Sequence, residues 1–138
     1  MELRRTIEDL AADAEREIRD GTWAPTPADR AIAAKGAVDL RRTVGTPPVQ
    51  EALPAIERLE RLREALAVLA VCLARVHGRL AWFLGAAVTA LTPVLQWRAL
   101  PPEGGPTFNS VVPTATQYTD AEDALRRLHQ ALIAVSTA

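Results

Sequence analysis

Leu59-Glu60-Arg61-Leu62-Arg63-Glu64-Ala65-Leu66-Ala67-Val68-Leu69-Ala70-Val71-Cys72-Leu73-Ala74-Arg75-Val76-His77-Gly78-Arg79-Leu80-Ala81-Trp82-Phe83 is the stretch on which the fold turns. Within it Leu59, Leu62, Leu66, Leu69, Leu73, Val76, Leu80 and Phe83 recur at alternating steps of three and four, the period of a buried helical stripe. The stripe extends back to Ala52 and Ala55 and forward through Ala87, Ala90 and Val94 without a polar interruption. Ile56, Ala65, Ala70, Cys72 and Leu84 widen it beyond a two-stranded zipper, whose flanking positions carry charge. From Leu66 to Ala74 every residue is apolar, so this segment is expected to be surrounded by other helices. The pattern predicts one helix over 54–97, with a break near Gly78 as the alternative, because glycine serves either as a cap or as a tolerated interior residue.

Working outward, Leu3, Ile7, Leu10, Ala14 and Ile18 mark a one-faced helix over 2–20, stopped by Gly21. Thr26-Pro27-Ala28-Asp29 supplies a capping hydroxyl, a proline at the first turn and an acid at its end, opening a helix over 27–44. That helix buries Ala33, Ala37, Leu40 and Val44, and Gly36 beside the stripe lets a neighbour come close before Gly45 ends it. Residues 48–53 read as a short turn ahead of Pro54. Beyond Trp97, the run Pro101-Pro102-Glu103-Gly104-Gly105-Pro106 opens a loop over 101–118. Thr119-Asp120-Ala121-Glu122 has the form of a capping box for a last helix over 119–136, with Ala121, Leu125, Leu128, Leu132 and Val135 on its apolar side.

The expected fold is therefore all-α, a single domain over 1–138 built as a bundle of four or five helices around a long central one. Apolar residues make up 49% of the chain, yet it holds only three Trp, two Phe and one Tyr, so its core must be assembled from Leu, Val and Ala. Sixteen basic residues face seventeen acidic ones and are interleaved with them, which argues against a nucleic-acid footprint. Lys35 is the single lysine, a bias that with the alanine content points to a high-GC bacterial genome. Cys72 has no partner for an internal disulfide, and no export signal precedes the first helix, so a reducing cytoplasm is the expected location.

Motif by motif, the chemistry stays thin. Asp39 to Thr46 followed by a helix invites a helix-turn-helix reading, but Arg41 stands where two helices should touch and Pro54 interrupts the second. The stretch 80–97 lacks formal charge and lies between Trp82 and Trp97, so a membrane association is considered; Thr89, Thr92, Pro93 and Gln96 and the continuing stripe favour a buried helix. His77 and His129 have no carboxylate, thiol or second histidine at metal-ligand spacing and are placed at polar helix edges, so no metal or cofactor is expected. Glu60 and Glu64 share one helix face, but Arg61 and Arg63 between them make a solvated surface the better account. No nucleophile sits beside a base, and no catalytic residue is proposed.

Function is left to surfaces. The expectation is a non-enzymatic interaction or regulatory module that self-associates or binds a protein partner, with the stripe at Leu80 and Phe83 as the face and Phe108, Asn109 and Tyr118 of the loop as further contacts. The plainer account of the loop is a crossing from one end of the bundle to the other. A small-molecule-binding or enzymatic bundle with a pocket under residues 101–118 is the alternative from another class, and a small membrane-associated protein using 80–97 is the third.

Overall fold

The computed structural model describes residues 2–45, 53–98 and 112–138. These residues form five α-helices: α1 (Leu3–Asp20), α2 (Pro27–Val44), α3 (Ala55–Leu73), α4 (Gly78–Leu91) and α5 (Ala115–Ser136), with a 3₁₀ turn at Thr92–Gln96 extending α4. The all-α bundle read from the periodicity is what forms, and no strand occurs among the described residues.

The central position belongs to α5, not to the long apolar stripe. It packs most extensively against α2 and α1, and the circuit closes through α2 against α3, α3 against α4 and α4 against α1. Cross-helix contacts fix the directions. Asp120 and Arg127 of α5 meet Leu3 and Glu8 of α1, so these two helices run parallel. Leu132 beside Gly36, with His129 near Arg41, sets α2 antiparallel to α5. Gly36 beside Cys72, and Thr43 beside Arg61, set α3 antiparallel to α2.

The expected helix over 54–97 is two helices. The amides of Arg75 and Val76 donate to the carbonyls of Cys72 and Leu73, tightening the end of α3, His77 is extended, and Gly78 adopts a φ of 72°. That left-handed backbone costs a side chain about 1–2 kcal/mol and reverses the chain. The apolar repeat carries on across the break because α3 and α4 both turn their stripes to one interior; Arg63 donates to the Leu95 carbonyl at one end of this antiparallel pair, and Leu73 lies against Gly85 at the other. Folded back in this way, Leu80 and Phe83 reach 0% exposure. They are core, and the expected association face at these two residues does not exist on the folded surface.

Two further expectations are corrected. Residues 66–74 are not surrounded: Leu66 and Leu69 are buried, whereas Ala67, Ala70, Val71 and Ala74 are exposed. The last helix starts at Ala115 instead of 119, because Thr114 and Gln117 form the capping box. Asp120 has another task. Its carboxylate accepts the Leu3 amide at 2.7 Å and the Arg4 amide at 3.4 Å, satisfying free N–H groups at the start of α1, where Glu2 offers no side-chain cap. The 48–53 turn falls outside the described residues except for Leu53.

Trp23, in the α1–α2 turn, is buried against Phe83 with ring centroids 6.5 Å apart. Arg79 lies between the Trp23 and Trp82 rings, 5.1 and 4.5 Å from their centroids, and its Nε donates to Glu17 at 2.9 Å. That hydrogen bond, against a smaller opposing effect of burial, holds the Glu17 carboxyl below its ordinary value.

Leu69→Ala removes a side chain at 0% exposure and is expected to cost about 2–5 kcal/mol, with Leu73→Ala, only partly buried, costing less. Gly78→Ala meets no atom within 4 Å and should cost only the strain of its backbone, about 1–2 kcal/mol. Urea unfolding of the three variants checks this order; a neutral Gly78→Ala would mean that the chain does not reverse there. The depressed Glu17 gives a pH signature as well: its stabilisation is complete above the unfolded-state carboxyl pKa and is lost as pH falls through the lower folded-state value. Wild type should therefore exceed Glu17→Gln in stability at neutral pH, and the gap should close in acid.

Candidate functional site

Where α2 packs antiparallel on α3, an added Cβ at Gly36 would stand 3.1 Å from Cys72 Sγ. Beside this contact the two helices line an open groove of about 620 Å³. Ile32, Ala67, Val68, Val71 and Cys72 give it an apolar lining. Its charges are sorted by the helix directions. With Gly36 level with Cys72 and Thr43 level with Arg61, Arg75 and Lys35 stand toward one end and Asp39 and Glu64 toward the other. Lys35 and Asp39 pair with each other at 3.0 Å, whereas Glu64 and Arg75 enter no ion pair among the described residues.

Val71, 56% exposed, projects from the lip of this groove. It continues into an outer α3 face made of Ala67, Ala70 and Ala74, all exposed. An uncovered valine beside a row of alanines is a surface another helix can approach closely. Burial raises the Cys72 thiol above its ordinary pKa, the Asp39 carboxylate adds to this, and Arg75 and Lys35 oppose it. The thiol is thus held protonated, which suits a packing residue and not a nucleophile.

The residues singled out from the sequence are dispersed. Leu80 and Phe83 are in the core. Tyr118 is also buried, 6.1 Å from the Trp97 ring in an edge-on pair and under the Arg58 guanidinium at 5.0 Å; burial raises its hydroxyl pKa. Arg58 continues to Glu122 at 3.1 Å, so Tyr118 belongs to a structural cluster that pins α3 to α5. Phe108 and Asn109 lie outside the described residues. His77 is exposed at the α4 N-cap, but His129 is half-buried, and burial, followed by the nearby Arg41, lowers its pKa. No group of three or more His, Cys, Asp or Glu that could hold a metal ion occurs among the described residues.

Two other apolar surfaces remain. Trp82, 61% exposed, lies beside Leu10 and Ala86 where α4 meets α1. Val38 and Ile133 lie beside His129 where α2 meets α5. The segment Gly78–Gln96 is long and apolar enough to cross a membrane by length and composition, with 33% of it buried in this fold. The α2/α3 groove was missed in the sequence because its lining, read along α3, is indistinguishable from core. Only Glu64 and Arg75, flanking the apolar run, hinted that this side faces water.

The reactivity of Cys72 offers a direct check on the site. Its alkylation rate should rise with pH through a midpoint above that of an ordinary thiol, measured with iodoacetamide on the folded protein. A midpoint at or below the ordinary value would mean that the thiol is not packed between α2 and α3. Compared with known protein families, with curated proteins and with solved structures, the chain matches none.

Proposed function

We propose that this chain is a non-enzymatic interaction or regulatory module that acts through the outer surface of α2 and α3. The observation that carries this reading is the apolar groove continuous with the exposed Val71, Ala67 and Ala74, on a molecule whose other large aliphatic side chains are mostly packed inside. Single exposed apolar residues need no explanation, but a groove and a lip of the same chemistry form one patch. The surrounding charges are suited to choosing and orienting a partner more than to chemistry, since the carboxylate near the Cys72 thiol, Asp39, is already paired to Lys35.

A second reading follows from the groove itself. At about 620 Å³ it has the size of a small-molecule site, and an apolar ligand could occupy it in place of a protein helix. The charged side chains stand toward the two ends of this half-open apolar lining, and Lys35 and Asp39 are already paired with each other, which favours the protein partner over a small ligand that needs polar groups converging on it.

A photo-crosslinking amino acid at position 71, with the same probe at exposed Ala12 on α1 as control, separates these readings in cells of the source organism. The expected result is an adduct heavier by a polypeptide mass at position 71 and none at position 12. An adduct heavier by only a small-molecule mass would establish the second reading, and no adduct at position 71 would overturn both.

A further inference from the structure

The charges flanking the α3 face are arranged so that the face complements itself. Glu64 lies at the midpoint of α3 and Arg75 just past its C-terminal end; both are exposed, and neither is paired among the described residues. Other arginines of this chain do find carboxylates, Arg58 with Glu122, Arg79 with Glu17, and Arg127 with Glu8 and Glu15. Halfway between Glu64 and Arg75 come Leu69, which points inward, and Ala70, which is exposed. The outward row from Glu64 to Arg75 is thus acid, alanine, valine, arginine, with its small residues in the middle.

We propose that the occupant of this surface is a second copy of the chain, seated antiparallel about a two-fold axis that passes over the outer face of α3 between Val68 and Val71. This rests on the interaction-module reading and names its partner. A two-fold operation through that point sets Glu64 opposite the partner's Arg75, and Arg75 opposite the partner's Glu64, so both free charges are matched twice over. It also places Val71 over the partner's Ala67 and Val68, at the mouth of the partner's α2/α3 groove. The valine then fills apolar space that the monomer leaves open.

Parallel seating is disfavoured by the same charges. It would set the two Glu64 carboxylates against each other at one end and the two Arg75 guanidinium groups against each other at the other, and like charges facing across an interface oppose association. The small side chains matter as well. With only Ala67, Val68 and Val71 between the two charges on this side, no long side chain holds the two α3 helices apart, and Glu64 and Arg75, roughly 16 Å apart along the helix, each come level with the opposite charge of the partner.

A charge exchange tests the arrangement. Wild type, Val71→Arg, Glu64→Arg, Arg75→Glu and an equimolar mixture of the last two are compared by sedimentation velocity and native mass spectrometry, with circular dichroism to confirm unchanged helix content. All three positions are exposed, so the variants should fold as the wild type does. Wild type is expected to be dimeric, each single variant to lose the dimer, and the mixture to recover it as a heterodimer, since each reversed charge then meets an opposite one. A monomeric wild type at high concentration overturns the proposal, as does a dimer that survives all three substitutions or a mixture that stays monomeric. If the wild type is monomeric while the probe at position 71 captures a different polypeptide, the two-fold pairing fails and the module reading stands. If the probe captures nothing, both fail.

Discussion

The close approach of α5 to α1 and α2 is the constraint on which the other contacts depend. Ala121, Ala124 and Ala131 on α5, Ala11 and Ala14 on α1, and Ala33 and Ala37 on α2 are buried with at most 1% exposure. Alanine contributes little apolar area, so such a core is stable only if the helix axes come close enough for backbone and Cβ atoms to supply the dispersion contacts. Leu125, Leu128 and Leu132 then fill the space between these contacts. Adding volume along these interfaces would push helices apart over their whole length, whereas removing one leucine leaves a local cavity.

Polar contacts secure the same geometry at its ends. Asp120 ties the start of α1 to α5, and Glu122, at 4% exposure, accepts from Arg58 of α3 and Arg126 of its own helix. A carboxylate buried to that degree is stable only because two guanidinium groups answer it. At the opposite side, Arg79 lies between two indoles and reaches Glu17, joining α4 to α1 and to the turn that holds Trp23. The arginines that look merely solvated in the sequence are, at positions 58, 79 and 127, links between helices.

How much of this was legible depends on whether the signal is local. Gly21 and the Thr26-Pro27 start were read correctly because caps are written in adjacent residues. The start of α5 was misread for the same reason: Thr119 to Glu122 satisfies the spacing of a capping box, yet Thr114 and Gln117 satisfy it too, and what Asp120 actually caps lies more than a hundred residues away. The reversal at 74–77 was hidden because two antiparallel helices facing one core preserve the phase of a single helix. The open face of α3 was hidden because Ala67, Ala70 and Val71 have the same composition whether they face a neighbour or water. The groove depends on which helix fails to cover α3, and only the assembled fold decides that.

The arrangement of the circuit explains why α3 is the element left with an open side. α5 is flanked by α1 and α2, and α4 closes the ring by touching both α1 and α3, so α3 meets α2 on one side, α4 on the other and only a short part of α5 beneath. Its stripe of Leu59, Leu62, Leu66 and Leu69 fills that interior, and no further helix of the described chain lies over its back. For a helix so placed, water-facing positions are ordinarily charged. Charge is kept in this α3 up to Glu64 and resumes at Arg75, while the ten positions between them contain none. Folding of the monomer does not require that gap, since Ala67, Ala70, Val71 and Ala74 could carry charge without entering the core. An uncharged interval bounded by one acid and one base is what a helix needs if its outer side is to be covered in a fixed direction, and it is this interval, more than any cavity, that separates α3 from the solvated faces of α1 and α2.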